Sequence, residues 1–234
     1  MRLKLNAKHL AVMIIILSIV IFAGTAFYKW YITSNTTFVA GMPPEELLTR
    51  IEPKTVPYEQ IKPPAVTQND KFILGSASSS IGIIFFGDYA DRQSADLINK
   101  LKESLKDNKK IRLIWRDLPE TTDENDPGFE AAVISNCSKL IHEDWYLHDK
   151  ILKIQNEKLT NNTLKQIVFE DMDAEMLYTC WNDTAIRNQV RLNVQTYRGD
   201  GIDTAPFIFV GTQAIPAAKA DMETILEALK TYNF

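Results

Sequence analysis

A chain of 234 residues, 45% hydrophobic and 24% charged, has the length and composition of one globular domain with accessories, which excludes a low-complexity chain. The first 29 residues hold four basic and no acidic residues, leaving 22 basic against 30 acidic beyond them, a net charge near −8. Such an acidic body argues against a nucleic-acid partner, because binding phosphates needs a basic stripe.

The run from Leu10 to Tyr28 carries no charged residue. At roughly 1.5 Å per residue it spans about 28 Å, close to the thickness of a bilayer core. Residues 1–32 therefore read as a cytoplasmic stub and one N-terminal transmembrane helix. Arg2, Lys4 and Lys8 precede the run with no acid among them, so positive charge stays inside and the body faces outward. The alternative is a cleaved signal peptide, with Gly24 and Ala26 as small residues before a cut. Either way the domain is exported, and the expected place is the cell membrane, single-pass, with the C-terminal domain extracytoplasmic.

Residues 33–71 hold six of the ten prolines and read as an extracytoplasmic linker. Within it "PPEELLTRI" has prolines followed by acids, the pattern of one short helix. Beyond it, "SIGIIFFG" (Ser80 to Gly87) is an apolar run ending in glycine, which predicts a strand covered on both faces. A helix follows, with Asp91 or Ser94 as its cap and Leu97, Ile98, Leu101 and Leu105 on one face. "KKIRLIWRDLP" predicts a second strand from Ile111 to Trp115, parallel to the first through a right-handed crossover.

The middle of the chain, residues 128–183, is predicted helical. Phe129, Ala132, Val133 and Cys137 share one face, Trp145, His148, Ile151 and Leu152 another, and Leu164, Ile167 and Val168 a third; "DAEMLYTCW" marks a fourth helix. A longer helix from about Thr184 to Tyr197 ends at the glycine turn "RGDG". "APFIFVGTQAIP" predicts a hairpin and "DMETILEALKTY" a terminal helix.

The local words in this order resemble the DsbA-like thiol-disulfide oxidoreductases. "FILGSASSSIGIIFFGDYADRQS" resembles that family's first strands, where an Asp-aromatic pair leads into Cys-x-x-Cys. Asp88 and Tyr89 fill the pair, and the two cysteine positions fall on Asp91 and Ser94. "IRLIWRDLPE" resembles the second strand, and "DTAPFIFVGTQAIPAA" the segment with the cis-proline, here Pro206. The resemblance implies an α/β, thioredoxin-like fold with a helical insertion over residues 72–234.

The departures from that family bear on function. Thiol-disulfide exchange needs an attacking thiolate and a resolving thiol, and neither Asp91 nor Ser94 can serve. A carboxylate at a helix start is nevertheless a stabilising cap. The expectation is a module without catalytic residues at this place, which binds a peptide or protein. The backbone of Thr204 and Ala205 beside Pro206 would pair with an extended segment, and Tyr89, Asp91 and Arg92 would line the opposite edge. The alternatives are an atypical oxidoreductase, a serine-using relative of the kappa-type glutathione transferases, which share this fold by resemblance, or a structural envelope component.

Cys137 and Cys180 lie on separate predicted helices. By resemblance, some family members carry a structural cysteine pair in this region, which implies a disulfide between them; a relocated redox centre or two buried thiols stay open. No cofactor or metal is expected. A calcium loop begun at Asp123 would put Pro127 at its fifth position and Ile134 at its twelfth, and His142 and His148 fall on different helix faces.

Overall fold

The central strand explains the rest of the architecture. In β2 (Ile81–Gly87) Ile83 and Phe85 point into one core layer and Ile84 and Phe86 into the other, the alternation of a strand covered on both faces. This computed structural model describes residues 56–232, apart from 68–69, 76–77, 139–145, 155–158 and 172. The expected transmembrane run, the expected short helix in the linker, His142 and Trp145 lie outside the described residues. Among the described residues no helix is long and apolar enough to cross a membrane.

Helix α1 (Arg92–Leu105) returns the chain over the first layer through Leu97, Ile98, Leu101 and Leu105, the four residues its spacing singles out. β3 (Ile111–Asp117) then lies parallel to β2, with Ile83 opposite Leu113 and Gly87 opposite Asp117. A short β1 (Lys71–Leu74) pairs antiparallel on the far side of β3. β4 (Phe207–Val210) runs antiparallel to β2, and β5 (Gln213–Ile215) closes the sheet in the order β1-β3-β2-β4-β5. Helix α7 (Met222–Lys230), capped by Asp221, joins α1 in the first layer through Ile225 and Leu229.

The insertion comprises α2 (Pro127–Cys137), α3 (Tyr146–Ile154), α4 (Asn161–Phe169) and α5 (Ala174–Trp181). α2 is its centre: a proline opens it, Asp126 caps it, and residues on every side of it are buried. A helix apolar all round needs partners all round. Its one buried carboxylate, Glu130, accepts hydrogen bonds from Trp181 Nε1 and Arg187. The disulfide implied by the resemblance is present, joining Cys137 of α2 to Cys180 of α5 across a Cα–Cα distance of 5.8 Å. The long helix α6 (Thr184–Gly199) then crosses to the second layer, where Val194 and Tyr197 meet Phe86 and Phe209.

The last part of the Pro-rich stretch is packed against the domain. Ile61 is buried in the second layer. Further along, Arg116 donates to the Ala65 carbonyl at 2.7 Å and to the Asp70 carboxylate at 2.8 Å. One large apolar side chain and one buried ion pair outweigh the proline content here, so the residues leading into β1 act as part of the fold.

Candidate functional site

Strand β2 ends at Gly87, where a Cβ would stand 2.1 Å from the Trp115 ring, so only glycine fits against this stacked core. Phe85 and Tyr89 pack against that ring system, with centroids 5.4 and 5.1 Å from Trp115. The next residue, Asp88, is 5% exposed. Its carboxylate accepts from the amide of Ala90 at 2.8 Å and that of Glu120 at 2.9 Å, tying the turn after β2 to the loop after β3. Burial pushes its carboxyl up to about 6, against the two amide bonds that favour the charged form.

Tyr89 corrects the expectation that it lines a binding edge. It is 1% exposed and points into the insertion, its hydroxyl 2.7 Å from Ser135 Oγ and 2.7 Å from His148 Nδ1. An aromatic ring next to a buried tryptophan has more to gain inward than in water, provided its hydroxyl finds partners. Burial raises the phenol above its ordinary range. His148 is buried there too, on the apolar face of α3 that its spacing indicates.

Asp91 is the cap of α1. Its carboxylate accepts from the amides of Gln93 at 3.1 Å and Ser94 at 2.7 Å, satisfying donors that every helix start leaves open. The Ser94 hydroxyl, 0% exposed, donates to the same carboxylate at 2.6 Å. The two positions where the family places sulfurs are thus joined directly, by a hydrogen bond. Arg92 stands out in solvent with its side chain 86% exposed, 3.8 Å from Asp96. Gln93 turns the other way and donates to the carbonyls of Ala217 and Ala220, fixing α1 to the stretch before α7.

The loop ahead of β4 emerges at the same end of the sheet, because Phe207 pairs with Phe86 and the chain before it runs alongside Gly87. The Ala205–Pro206 peptide bond is cis. Pro206 is buried while Thr204 is exposed. Among the described residues no backbone hydrogen bond engages Thr204 or Ala205. The site therefore offers a helix start already filled by its own carboxylate, and beside it a bend over residues 204–206 in which the Thr204 and Ala205 backbones have open donors and acceptors. Both cysteines are in the disulfide, and they lie on helices of the insertion.

A β2–α1–β3 crossover, an antiparallel β4–β5 hairpin preceded by a cis-proline, and a helical insertion after β3 define a thioredoxin-fold protein of the DsbA arrangement. The chain belongs to the thioredoxin family, whose model matches residues 69–230. Among solved structures it is similar to a thioredoxin-like oxidoreductase from Silicibacter pomeroyi, with a TM-score of 0.60 and 14% identity, over 71% of this chain and 94% of that one. It is also similar to DsbA2 of Pseudomonas aeruginosa, with a TM-score of 0.55 and 18% identity over 73% and 96%. For oxidised BdbD of Bacillus subtilis the values are 0.57, 18%, 73% and 98%. At these identities the likeness is one of fold. Comparison with curated protein sequences finds no match.

Proposed function

We propose that this chain is a membrane-anchored, extracytoplasmic DsbA-like module that does no thiol chemistry at its helix start and binds extended polypeptide along Thr204 and Ala205. The observation that carries the reading is the closed Asp91–Ser94 pair. The Ser94 proton points at Asp91, and the Asp91 oxygens are taken up by α1, so the helix start holds neither an attacking group nor a vacancy for one. What the loop beside it still offers is unpaired backbone, the means by which a sheet edge takes up another strand.

The enzyme readings have less support. A serine nucleophile must meet its substrate, and Ser94 is 0% exposed. A relocated redox centre would need an accessible sulfur, whereas Cys137 is 0% and Cys180 5% exposed. Arg92, in solvent next to the cap, is the side chain at this edge best placed to meet a partner.

The test is direct. Purified full-length protein in detergent is assayed for insulin reduction, and hydrogen exchange is followed with and without a reduced, unfolded polypeptide. The reading expects no turnover and slowed exchange at the amides of Thr204 and Ala205. Turnover that disappears when Cys137 or Cys180 is replaced overturns it. Anchoring is checked separately by alkaline extraction of membranes, where the chain is expected to stay with the lipid.

A further inference from the structure

Part of the surface beside the Thr204 loop is built from residues that precede the family-matched stretch. The chain passes Val56 and Pro57, makes one 3-10 turn over Tyr58–Gln60, and sinks Ile61 into the second core layer against Phe207 and Phe209. Gly201 makes room for it. There the backbone has φ +90°, a conformation that favours glycine, and a Cβ would stand 3.1 Å from Ile61 Cδ1, a crowded approach. The other end is held by Arg116 at Ala65 and Asp70. Tyr58 is fixed from above by Lys219, whose ammonium donates to the phenol oxygen at 2.5 Å and lies 4.9 Å from the ring centroid.

Between this wall and the loop lies an open groove of about 380 Å³. Val56, Pro57 and Tyr58 form one side, and Asp203 and Thr204 the other. Phe207 and Pro216 also line it. Apolar groups supply a little more than half of the exposed lining and polar groups, the Asp203 carboxylate among them, the rest; Thr204, whose backbone makes no backbone hydrogen bond among the described residues, lines it too.

We infer that this groove is a side-chain pocket that selects an aromatic or large apolar residue of an extended polypeptide bound along Thr204–Ala205. The inference rests on the strand-pairing reading given above and adds to it the class of segment chosen. In an added strand every second side chain turns to the same face, so pairing at Thr204 carries one side chain toward the groove. The open N–H and C=O groups of Thr204 decide between occupants. A lipid chain or an apolar helix face would cover them without satisfying them, whereas an extended backbone satisfies them. The Asp203 carboxylate favours a lysine or arginine adjacent to the selected residue.

The test uses the full-length chain in nanodiscs and two fluorescent peptides, Thr-Val-Thr-Phe-Lys-Thr and the same sequence with alanine for phenylalanine. Burying a phenylalanine side chain predicts roughly 10-fold or more tighter binding of the first by fluorescence polarisation. Val56→Trp fills the groove from the wall, so it should bring the phenylalanine peptide down to the alanine peptide. Tyr58→Ala, which removes part of the wall, should also narrow the difference. Equal binding of the two peptides, or equal weakening of both by Val56→Trp, overturns the pocket, while slowed exchange at Thr204 would still leave strand pairing standing. If neither peptide binds, pairing and pocket fall together.

Discussion

The start of α1 and the middle of the insertion solve opposite problems with the same short list of residues. At the start of α1, where related folds carry reactive sulfur, the chain has a carboxylate and a hydroxyl that satisfy helix amides and each other. In the insertion the sulfurs are present but buried and bonded, fastening α2 to α5. One location pairs a half-exposed carboxylate with a buried hydroxyl; the other is sealed and covalent. Position in the fold, more than the presence of cysteine in the chain, therefore determines what sulfur can do here.

The largest effect tests whether the first region is only missing its sulfurs. In the double substitution Asp91→Cys and Ser94→Cys, residue 91 stands half-exposed at a helix N-terminus, which lowers a thiol's pKa, and residue 94 lies buried behind it as the resolving position. The variant is expected to go from no insulin reduction to measurable turnover. A variant that forms the new disulfide and remains inactive would show that more than two side chains separates this chain from an enzyme.

The counterpart in the second region is removal of its disulfide. Replacing Cys137 and Cys180 by alanine opens a loop with a sequence separation of 43. The chain-entropy account predicts a loss of about 3 to 4 kcal/mol in denaturant unfolding. Reductant should then no longer affect the variant's stability, while it lowers that of the parent.

A third prediction concerns Asp88, which links the two regions by holding the turn after β2 to the loop that leads into α2. Its folded carboxyl lies at about 6 against an ordinary 3.8. The native state therefore binds a proton more tightly than the unfolded chain, and stability falls as pH rises through the window from about 4 to about 6. The full drop is on the order of 3 kcal/mol, with no further change from this group above it. Urea midpoints measured from pH 4 to 7 should show a slope that is missing in Asp88→Asn. A parent without that slope would mean water reaches the carboxylate.

Much of this is legible in the sequence, because its causes are local. The apolar run of β2, the period of α1 and the turn residues of the hairpin are local patterns, and each element formed where its pattern lies. The capping role of Asp91 is equally local, since a short acid before a helix has few other partners. The direction of Tyr89 is not legible, because it depends on Trp115 and His148, far along the chain, and alternation after Gly87 does not extend through a turn. The role of residues 56–61 is not legible either, because proline content suggests an extended linker, while a single isoleucine and a distant glycine decide that they pack. Glu130 shows the same limit: its partners Trp181 and Arg187 are found only once α2, α5 and α6 are in place.

The smallest effects separate a cap from a reactive residue most cleanly. Asp91→Ala removes the acceptor for two helix amides and for the Ser94 hydroxyl, so a loss of about 1 to 2 kcal/mol is expected. Ser94→Ala leaves Asp91 holding both helix amides but removes a buried hydroxyl that also accepts from the Asp88 amide at 3.4 Å, and should cost about 1 kcal/mol. If the pair is purely structural, peptide affinity at Thr204 changes in neither variant beyond the fraction unfolded, because the cap and the open backbone belong to different elements. A loss of binding in Ser94→Ala that exceeds its loss of stability would instead make the Asp91–Ser94 pair part of the recognition surface, and the contrast between a quiet helix start and an active loop would no longer hold.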